Sequence, residues 1–268
     1  MRPLDVRIEA ALKAYDEECR WDLIGGIVGE CPDDVLEATT DLLRGDSERS
    51  RTLGADILGR LVAMEPDTRP VVLEALLQTL DLEKAAAPLA SIVAAIGRVG
   101  DAGALGRIFP LAANENAEVR LAVAFAVATM SPQPLSPEAR AALIGLSRDA
   151  NPEVRDWATF GLGTLSDADG PDVRAALLAR AEDAYRETRA EALFGLAVRR
   201  DTRAVPHLIR ALESLTADGL EVDAAAAFAD PRLLPALWAL QRAGGTDEDR
   251  LRRAIDRCSG RDRPASPS

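Results

Sequence analysis

Apolar residues recur at helical spacing through most of this chain. In the segment NPEVRDWATFGLGTL they lie three or four positions apart, at Val154, Ala158, Leu162 and Leu165. A helix turns by about 100° per residue, so these four side chains share one face. The segment opens on Asn151 followed by Pro-Glu, which is a typical helix start. The pattern predicts an amphipathic helix whose apolar face packs on a neighbouring helix.

The same pattern returns along the chain. Closely matching copies span 116–130, 185–199 and 219–232, and weaker ones span 18–29, 47–61 and 84–99. The positions equivalent to Arg155 are Arg20, Arg51, Leu89, Arg120, Arg189 and Asp223. In chain order the seven numbers rise by 31, 38, 31, 35, 34 and 34. A period near 34 residues with two amphipathic segments per unit predicts a helical solenoid.

Each repeat reads as a helix A, a turn and a helix B. In the clearest repeat, Ser136 caps helix A with Pro137 at its first position, and Asn151 starts helix B. We expect one domain over residues 1–260, with units that start near residues 4, 33, 67, 102, 136, 170 and 202. A more charged helical cap is expected over 231–260 and a disordered tail over 261–268.

The motif V-R-x-x-A-x-x-x-L-G after D/N-x-P-E resembles bacterial HEAT-like repeats, the class that includes the repeats of phycobilisome lyases. The resemblance covers roughly Arg20 to Arg232. It implies an all-α fold, a right-handed α-solenoid of about seven helical hairpins with a C-terminal helical cap. It is specific for fold and says little about function.

Offsets counted from the arginine column define the other columns of helix B. The resemblance implies a structural ladder of arginine and acidic residues between neighbouring units, whose members here are Arg51, Arg120, Arg155, Arg189, Asp149 and Asp183. An acidic or amide residue lies about six positions before most of these arginines, and an arginine fork can bridge a carboxylate and turn carbonyls. A row of arginines that binds an anion is the alternative, and the spacing favours the ladder.

A second column, at offset +5, holds four of the five phenylalanines: Phe125, Phe160, Phe194 and Phe228. It points away from helix A, towards the concave surface or the neighbouring B helix. Packing between B helices is the favoured interpretation, because aromatic stripes usually serve packing. The functional alternative is an apolar groove for a partner helix or peptide.

Trp157 has no counterpart of similar size in its column, which makes it a candidate for a binding hot spot. A tryptophan wedged between repeats is the equal alternative. The sequence therefore suggests a partner-binding site on the concave face, formed by Trp157, Asp156, Phe125, Phe160, Phe194 and Glu191. The two acids would select a basic partner, and the groove would suit a helical one.

The composition limits the classes of partner that are expected. The 268 residues carry a net charge of −12, and nucleic-acid binding needs a basic stripe, so a nucleic-acid partner is not expected. The three cysteines are widely spaced, so no disulfide framework is indicated. The N-terminus lacks the features of a signal peptide, and no apolar stretch is long enough to span a membrane. We expect a cytoplasmic protein with no membrane partner. The oligomeric state does not follow from the sequence.

No catalytic residue, metal ligand or cofactor site emerges from the sequence, because phosphate-binding loops and nucleophile motifs are absent. The leading hypothesis is a non-enzymatic protein-binding scaffold or adaptor that uses the concave face of the B helices. The alternative, by resemblance, is a HEAT-like enzyme of the DNA glycosylase or bilin-lyase type. Asp156-Trp157 superficially resembles a glycosylase pair, but the net charge argues against that reading.

Overall fold

The computed structural model describes residues 3–214, 217, 219–244 and 247–261. Within these ranges the regular structure is entirely helical, which confirms the predicted all-α class. The chain forms two compact units, residues 1–132 and 133–268. The predicted tail, apart from Arg261, lies outside the described residues.

The first unit contains four helix pairs. Its helices are α1 (Pro3–Lys13), α2 (Glu17–Ile27), α3 (Pro32–Leu43), α4 (Glu48–Met64), α5 (Arg69–Leu80), α6 (Ala86–Val99), α7 (Leu105–Ile108) and α8 (Ala117–Met130). The even-numbered helices are the B helices, and α4, α6 and α8 pack on one another in that order.

The second unit repeats the arrangement. Its helices are α9 (Pro137–Leu146), α10 (Pro152–Gly163), α11 (Pro171–Arg180), α12 (Arg186–Val198), α13 (Val205–Glu213), α14 (Gly219–Phe228), α15 (Leu234–Ala243) and α16 (Glu248–Cys258). Again the B helices α10, α12, α14 and α16 pack on one another in sequence.

Local sequence explains where many helices begin. The Asn151 side chain accepts hydrogen bonds from the backbone N–H groups of Glu153 and Val154, which have no partner within the helix. Ser136 caps α9 through the backbone N–H of Ala139. These caps stand at the helix starts that the sequence predicted.

One A segment departs from the regular pattern. Between α6 and α8 the chain forms a 3₁₀ turn (Ala102–Ala104), the four-residue α7 and a second 3₁₀ turn (Phe109–Ala113). Pro110 lacks a backbone N–H and its ring clashes with the preceding turn, so a longer α-helix cannot continue through it.

The B helices approach one another closely at small residues. A β-carbon added to Gly195 would lie 2.6 Å from the Cα of Gly163, so α10 and α12 cross with their backbones in contact. In the first unit a β-carbon on Gly59 would lie 3.1 Å from Ala95, which marks the corresponding crossing of α4 and α6. In both crossings, offset +8 of one helix meets offset +6 of the next.

Position +10 behaves differently from the sequence-based prediction. Leu165 was expected on the apolar face, but it is 38% exposed because α10 already ends at Gly163. Its equivalent after α12, Arg199, is buried. The guanidinium of Arg199 takes over the space that an apolar side chain fills elsewhere in this column.

Candidate functional site

Two aromatic rings stand together on α10. The rings of Trp157 and Phe160 pack edge to face, with centroids 5.7 Å apart and planes inclined by 75°. Both side chains are half-buried, so each leaves part of its ring at the surface. The structure thus brings together two residues that the sequence assigned to a partner-binding face.

The adjacent helix α12 extends this face. Phe194 occupies the same column as Phe160 and is also half-buried. One turn before it, the carboxylate of Glu191 accepts a hydrogen bond from the hydroxyl of Thr164, which follows α10. This hydrogen bond links the end of α10 to α12 beside the rings. We call Asp156, Trp157, Phe160, Glu191 and Phe194 the aromatic face.

Asp156 lies beside Trp157 and is half-buried. Burial raises the pKa of its carboxyl, and the Thr188 hydroxyl, which donates at 3.3 Å, opposes that shift. The carboxylates of Glu187, Asp183 and Glu153 raise the pKa further. The charged groups that shift this pKa are carboxylates, which makes this end of the aromatic face unfavourable for a phosphate.

The remaining members of the phenylalanine column differ in exposure. Phe228, on α14, is 5% exposed and serves packing. Phe125, on α8 in the first unit, is half-buried, and its ring fills the space above Gly97 of α6. A β-carbon at Gly97 would come within 2.7 Å of that ring. The column thus combines packing between B helices with partial exposure of three rings.

The arginine column joins successive repeats through carboxylates. Arg155 Nε and Nη2 donate to both carboxylate oxygens of Asp183, at 2.9 and 2.8 Å. Its Nη1 donates to the backbone carbonyls of Asp149 and Ala150 at 3.0 and 3.1 Å. The residue six positions earlier thus contributes its carbonyl, and the carboxylate comes from the next repeat.

Arg51 repeats this geometry in the first unit. Its Nε lies 2.6 Å from a carboxylate oxygen of Glu83, and its Nη1 donates to the carbonyls of Gly45 and Asp46. Glu83 stands six positions before Leu89, which is the position that Asp183 holds before Arg189. The repeat pattern does not single out Glu83, because Leu89 interrupts the arginine column.

The other two ladder arginines also bind turn carbonyls. Arg120 Nη1 donates to the carbonyls of Asn114 and Glu115, both at 2.9 Å, and Arg189 Nη1 donates to that of Asp183 at 2.8 Å. The Asp149 side chain accepts from the backbone N–H of Asn151 at the start of α10.

The first repeats contain an ion pair that the sequence analysis also missed. Asp56 occupies offset +5 of α4, where the next repeat carries alanine and the four after it carry phenylalanine, and its side chain is only 6% exposed. Arg20 Nη1 of α2 lies 3.1 Å from its Oδ2. Burial raises the pKa of Asp56, whereas Arg20, the Ser91 hydroxyl and Arg98 oppose the shift. An acid in a column otherwise filled by apolar residues was the available signal.

Arg199 is a second buried charge, at a position that the helical spacing places on the apolar face. Its guanidinium donates to the carbonyls of Leu162 and Gly163 at the end of α10 and to those of Ser166 and Ala168 in the following loop. A fifth bond goes to a carbonyl in the last turn of α12. Arg199 therefore satisfies the carbonyls that the early end of α10 leaves without helical partners.

Within the described residues, no group of three or more His, Cys, Asp or Glu side chains is placed to hold a metal ion. In the same part of the chain, no helix has both the length and the apolar character that a bilayer span requires.

Comparison with known proteins supports the repeat assignment. Residues 73–163 match the family model for HEAT repeats. No curated protein matches the sequence.

Solved structures of similar fold extend over nearly the whole chain. Escherichia coli YibA is 23% identical with a TM-score of 0.77, and the match covers 97% of this chain and 93% of YibA. An engineered protein is 17% identical with a TM-score of 0.59, covering 96% and 78% of the two chains.

The complex of CpcE and CpcF of phycocyanin lyase from Nostoc sp. PCC7120 also matches. It is 14% identical with a TM-score of 0.51, and the match covers 86% of this chain and 89% of that one. At these identities the likeness concerns the fold. The chain therefore has the fold of HEAT-like repeat proteins.

Proposed function

We propose that this chain is a non-enzymatic scaffold or adaptor that binds another protein through the aromatic face. The observation that carries the proposal is the half-exposed edge-to-face pair of Trp157 and Phe160 next to Phe194. Tryptophan and its aromatic neighbours supply large contact areas with few rotatable bonds, which is why they dominate binding hot spots.

The charge around the rings favours a basic segment as the occupant. Asp156 and Glu191 flank Trp157 and Phe160, and the carboxylates that act on Asp156 add to the negative potential. An arginine or lysine side chain can lay its apolar stem on a ring and place its charge beside a carboxylate. The partner we propose therefore presents a basic segment, such as one face of a helix.

The enzyme alternatives have less support. A DNA glycosylase must hold a phosphate backbone, and the charged groups acting on Asp156 are carboxylates. The bilin-lyase alternative rests on the fold, because the match to the phycocyanin lyase complex is only 14% identical. That match supports the scaffold proposal in one respect, since it is a complex of two proteins.

The test is quantitative affinity enrichment with purified, immobilised protein. Wild type is compared with Trp157→Ala combined with Phe160→Ala, using extract of the source organism and mass spectrometry. We expect the recovery of the specific partner to fall about thirtyfold or more in the double variant, since a single hot-spot truncation that costs about 2 kcal/mol already weakens binding by about that factor.

Trp238→Ala is the matched control. Trp238 is 41% exposed but lies on α15, an A helix outside the aromatic face, so its loss should leave recovery unchanged. Asp156→Asn with Glu191→Gln, which keeps the rings, should weaken binding in a salt-dependent way. Equal recovery by wild type and by a folded Trp157→Ala/Phe160→Ala variant would rule the proposal out.

A further inference from the structure

The first unit carries a patch of opposite character on its own B helices. Offset +9 holds Arg60 on α4 and Arg98 on α6, whereas the next three repeats hold Thr129, Thr164 and Val198 there. The last repeat has Arg232 at this offset, but Arg232 forms a salt bridge with Asp230. Both arginines are exposed. They stand on neighbouring helices in a chain whose net charge is −12, so their clustering runs against the bulk charge.

The guanidinium of Arg98 is held in place by its surroundings. Its Cζ lies 5.9 Å from the centroid of the Phe125 ring, within the range of a cation–π contact. Its Nη1 lies 3.2 Å from the point where a β-carbon on Gly59 would stand. The absence of a side chain at Gly59 leaves room for this guanidinium next to Arg60.

The charges around Arg98 do not neutralise the pair. Burial lowers the pKa of Arg98, the carboxylate of Asp56 opposes that shift, and the charge of Arg60 adds to it. Asp56 is already engaged by Arg20, whose Nη1 lies 3.1 Å from Oδ2. In contrast to Arg51 and Arg155, neither Arg60 nor Arg98 forms a salt bridge with a carboxylate within the described residues. Both residues are exposed, so N–H donors of the two guanidinium groups remain available to a partner.

We infer that Arg60 and Arg98, with the Phe125 ring beside them, form a docking site for an acidic segment of a partner protein. Arginine forks bind carboxylates through paired hydrogen bonds, and two adjacent forks suit successive Asp or Glu side chains. The exposed edge of Phe125 adds contact for an aliphatic residue next to them. A nucleic acid fits less well, because its regularly spaced phosphates call for a longer basic stripe.

Fluorescence anisotropy with a fluorescein-labelled peptide of repeated Glu-Glu-Leu tests this site. Its uncharged counterpart carries Gln-Gln-Leu. We expect the acidic peptide to bind at low ionic strength and the Gln peptide to bind about tenfold more weakly or worse. The double variant Arg60→Gln/Arg98→Gln should lose about tenfold in affinity for the acidic peptide, as expected for two charge-assisted hydrogen bonds.

The control variant is Arg148→Gln/Arg242→Gln, which changes the net charge equally at two exposed arginines of the second unit. Its affinity should stay within about twofold of wild type, since only remote charge has changed. Arg98→Lys keeps the charge but removes the fork, and should give an intermediate affinity.

Three results would overturn the inference: no binding of the acidic peptide, equal losses in the two double variants, or tighter binding of a labelled oligothymidylate than of the peptide. Circular dichroism of each variant establishes that it is folded. The aromatic face lies on other helices, so the peptide assay is independent of the function proposed above.

Discussion

Two pairs of neighbouring B helices can be compared: α4 and α6 of the first unit, and α10 and α12 of the second. The contacts that join the two helices are alike in both pairs, but the exposed side chains differ. In each pair an arginine at the start of one helix binds a carboxylate that precedes the next, Arg51 with Glu83 and Arg155 with Asp183. In each pair the helices cross at small residues. These shared contacts, made by the arginine column and by offsets +6 and +8, are the repeat frame.

The two pairs of B helices differ at offsets +5 and +9. Offset +5 holds the buried Asp56 in α4 but the half-exposed Phe160 in α10, and offset +9 holds Arg60 in α4 but Thr164 after α10. The contacts at these two offsets differ from repeat to repeat, as the Arg20–Asp56 ion pair and the Thr164–Glu191 hydrogen bond show. Their residues can therefore vary while the arginine column and the close crossings stay the same. The same contacts between repeats can therefore support an acidic aromatic face in one unit and a basic face in the other.

The helix ends also differ between the units. α4 continues to Met64, so its carbonyls at offsets +7 and +8 are paired within the helix, and Leu61 at offset +10 is buried. α10 ends at Gly163, and the following repeat supplies Arg199 at offset +10 to satisfy the freed carbonyls. A shorter helix thus requires a hydrogen-bond donor from its neighbour.

The largest loss of stability is expected when the residue at offset +10 after α12 is made apolar, as it is in the first unit. Arg199→Leu places the apolar residue type of the first unit at offset +10 and leaves five carbonyls without their donor. We expect the free energy of unfolding to fall by about 3 kcal/mol, measured by urea denaturation. Arg199→Lys should recover only part of the loss, because an ammonium cannot reproduce the fork. Wild-type stability in Arg199→Leu would show that the carbonyls find other partners.

The shared frame can be tested by removing its arginines one at a time. Arg51→Gln should lower the free energy of unfolding by about 2 kcal/mol, because a buried carboxylate loses its partner. Arg155→Gln should cost about 1 kcal/mol less, since Asp183 keeps Arg180 Nη1 at 3.0 Å. Urea denaturation of both variants measures the difference. Equal losses, or a larger loss in Arg155→Gln, would show that Arg180 does not compensate for Arg155.

The crossing of α10 and α12 should tolerate added volume poorly. Gly195→Ala would place a β-carbon 2.6 Å from the backbone of Gly163, so we expect a loss of about 2 kcal/mol in thermal or chemical denaturation. Gly145→Ala is the control, because nothing lies within 4 Å of its added β-carbon. That variant should gain up to about 1 kcal/mol from its higher helix propensity. Equal effects of the two substitutions would contradict the close crossing.

The smallest effect is a difference in pH dependence between two acids of the second unit. Burial pushes the pKa of Asp183 up, but Arg155, the Tyr185 N–H and Arg180 outweigh it, so its folded-state pKa is lowered. Its contribution to stability is present above its unfolded pKa of about 4 and is lost as the pH falls through the lower folded value.

The pKa of Asp156 is raised, chiefly by burial, so the opposite sign applies. Its ionisation lowers stability as the pH rises through the interval between its unfolded pKa and its higher folded pKa. Relative to wild type, Asp183→Asn should therefore be least harmful below about pH 4, and Asp156→Asn should be most favourable near pH 7. Denaturation curves at both pH values measure the two trends, which should each amount to about 1 kcal/mol or less. Trends of the same sign would contradict the assignment.

Much of the fold follows from the order of residues. The 34-residue period, the starts at Ser136 and Asn151 and the arginine column depend on spacing within one or two helical turns. The same spacing placed Trp157 and Phe160 on one face, and their rings do meet. It failed at Leu165, which is exposed because α10 ends at Gly163.

By itself the sequence determined a stack of helix pairs and the columns that face one another, because helical periodicity and capping are local properties. Only the tertiary structure decided that Arg51 binds Glu83, that Arg20 binds Asp56, and which rings keep part of their surface exposed. Those outcomes depend on groups about one repeat away along the chain. The distances between these groups depend on how closely the B helices cross. The residue pattern within a single repeat does not determine how close that crossing is.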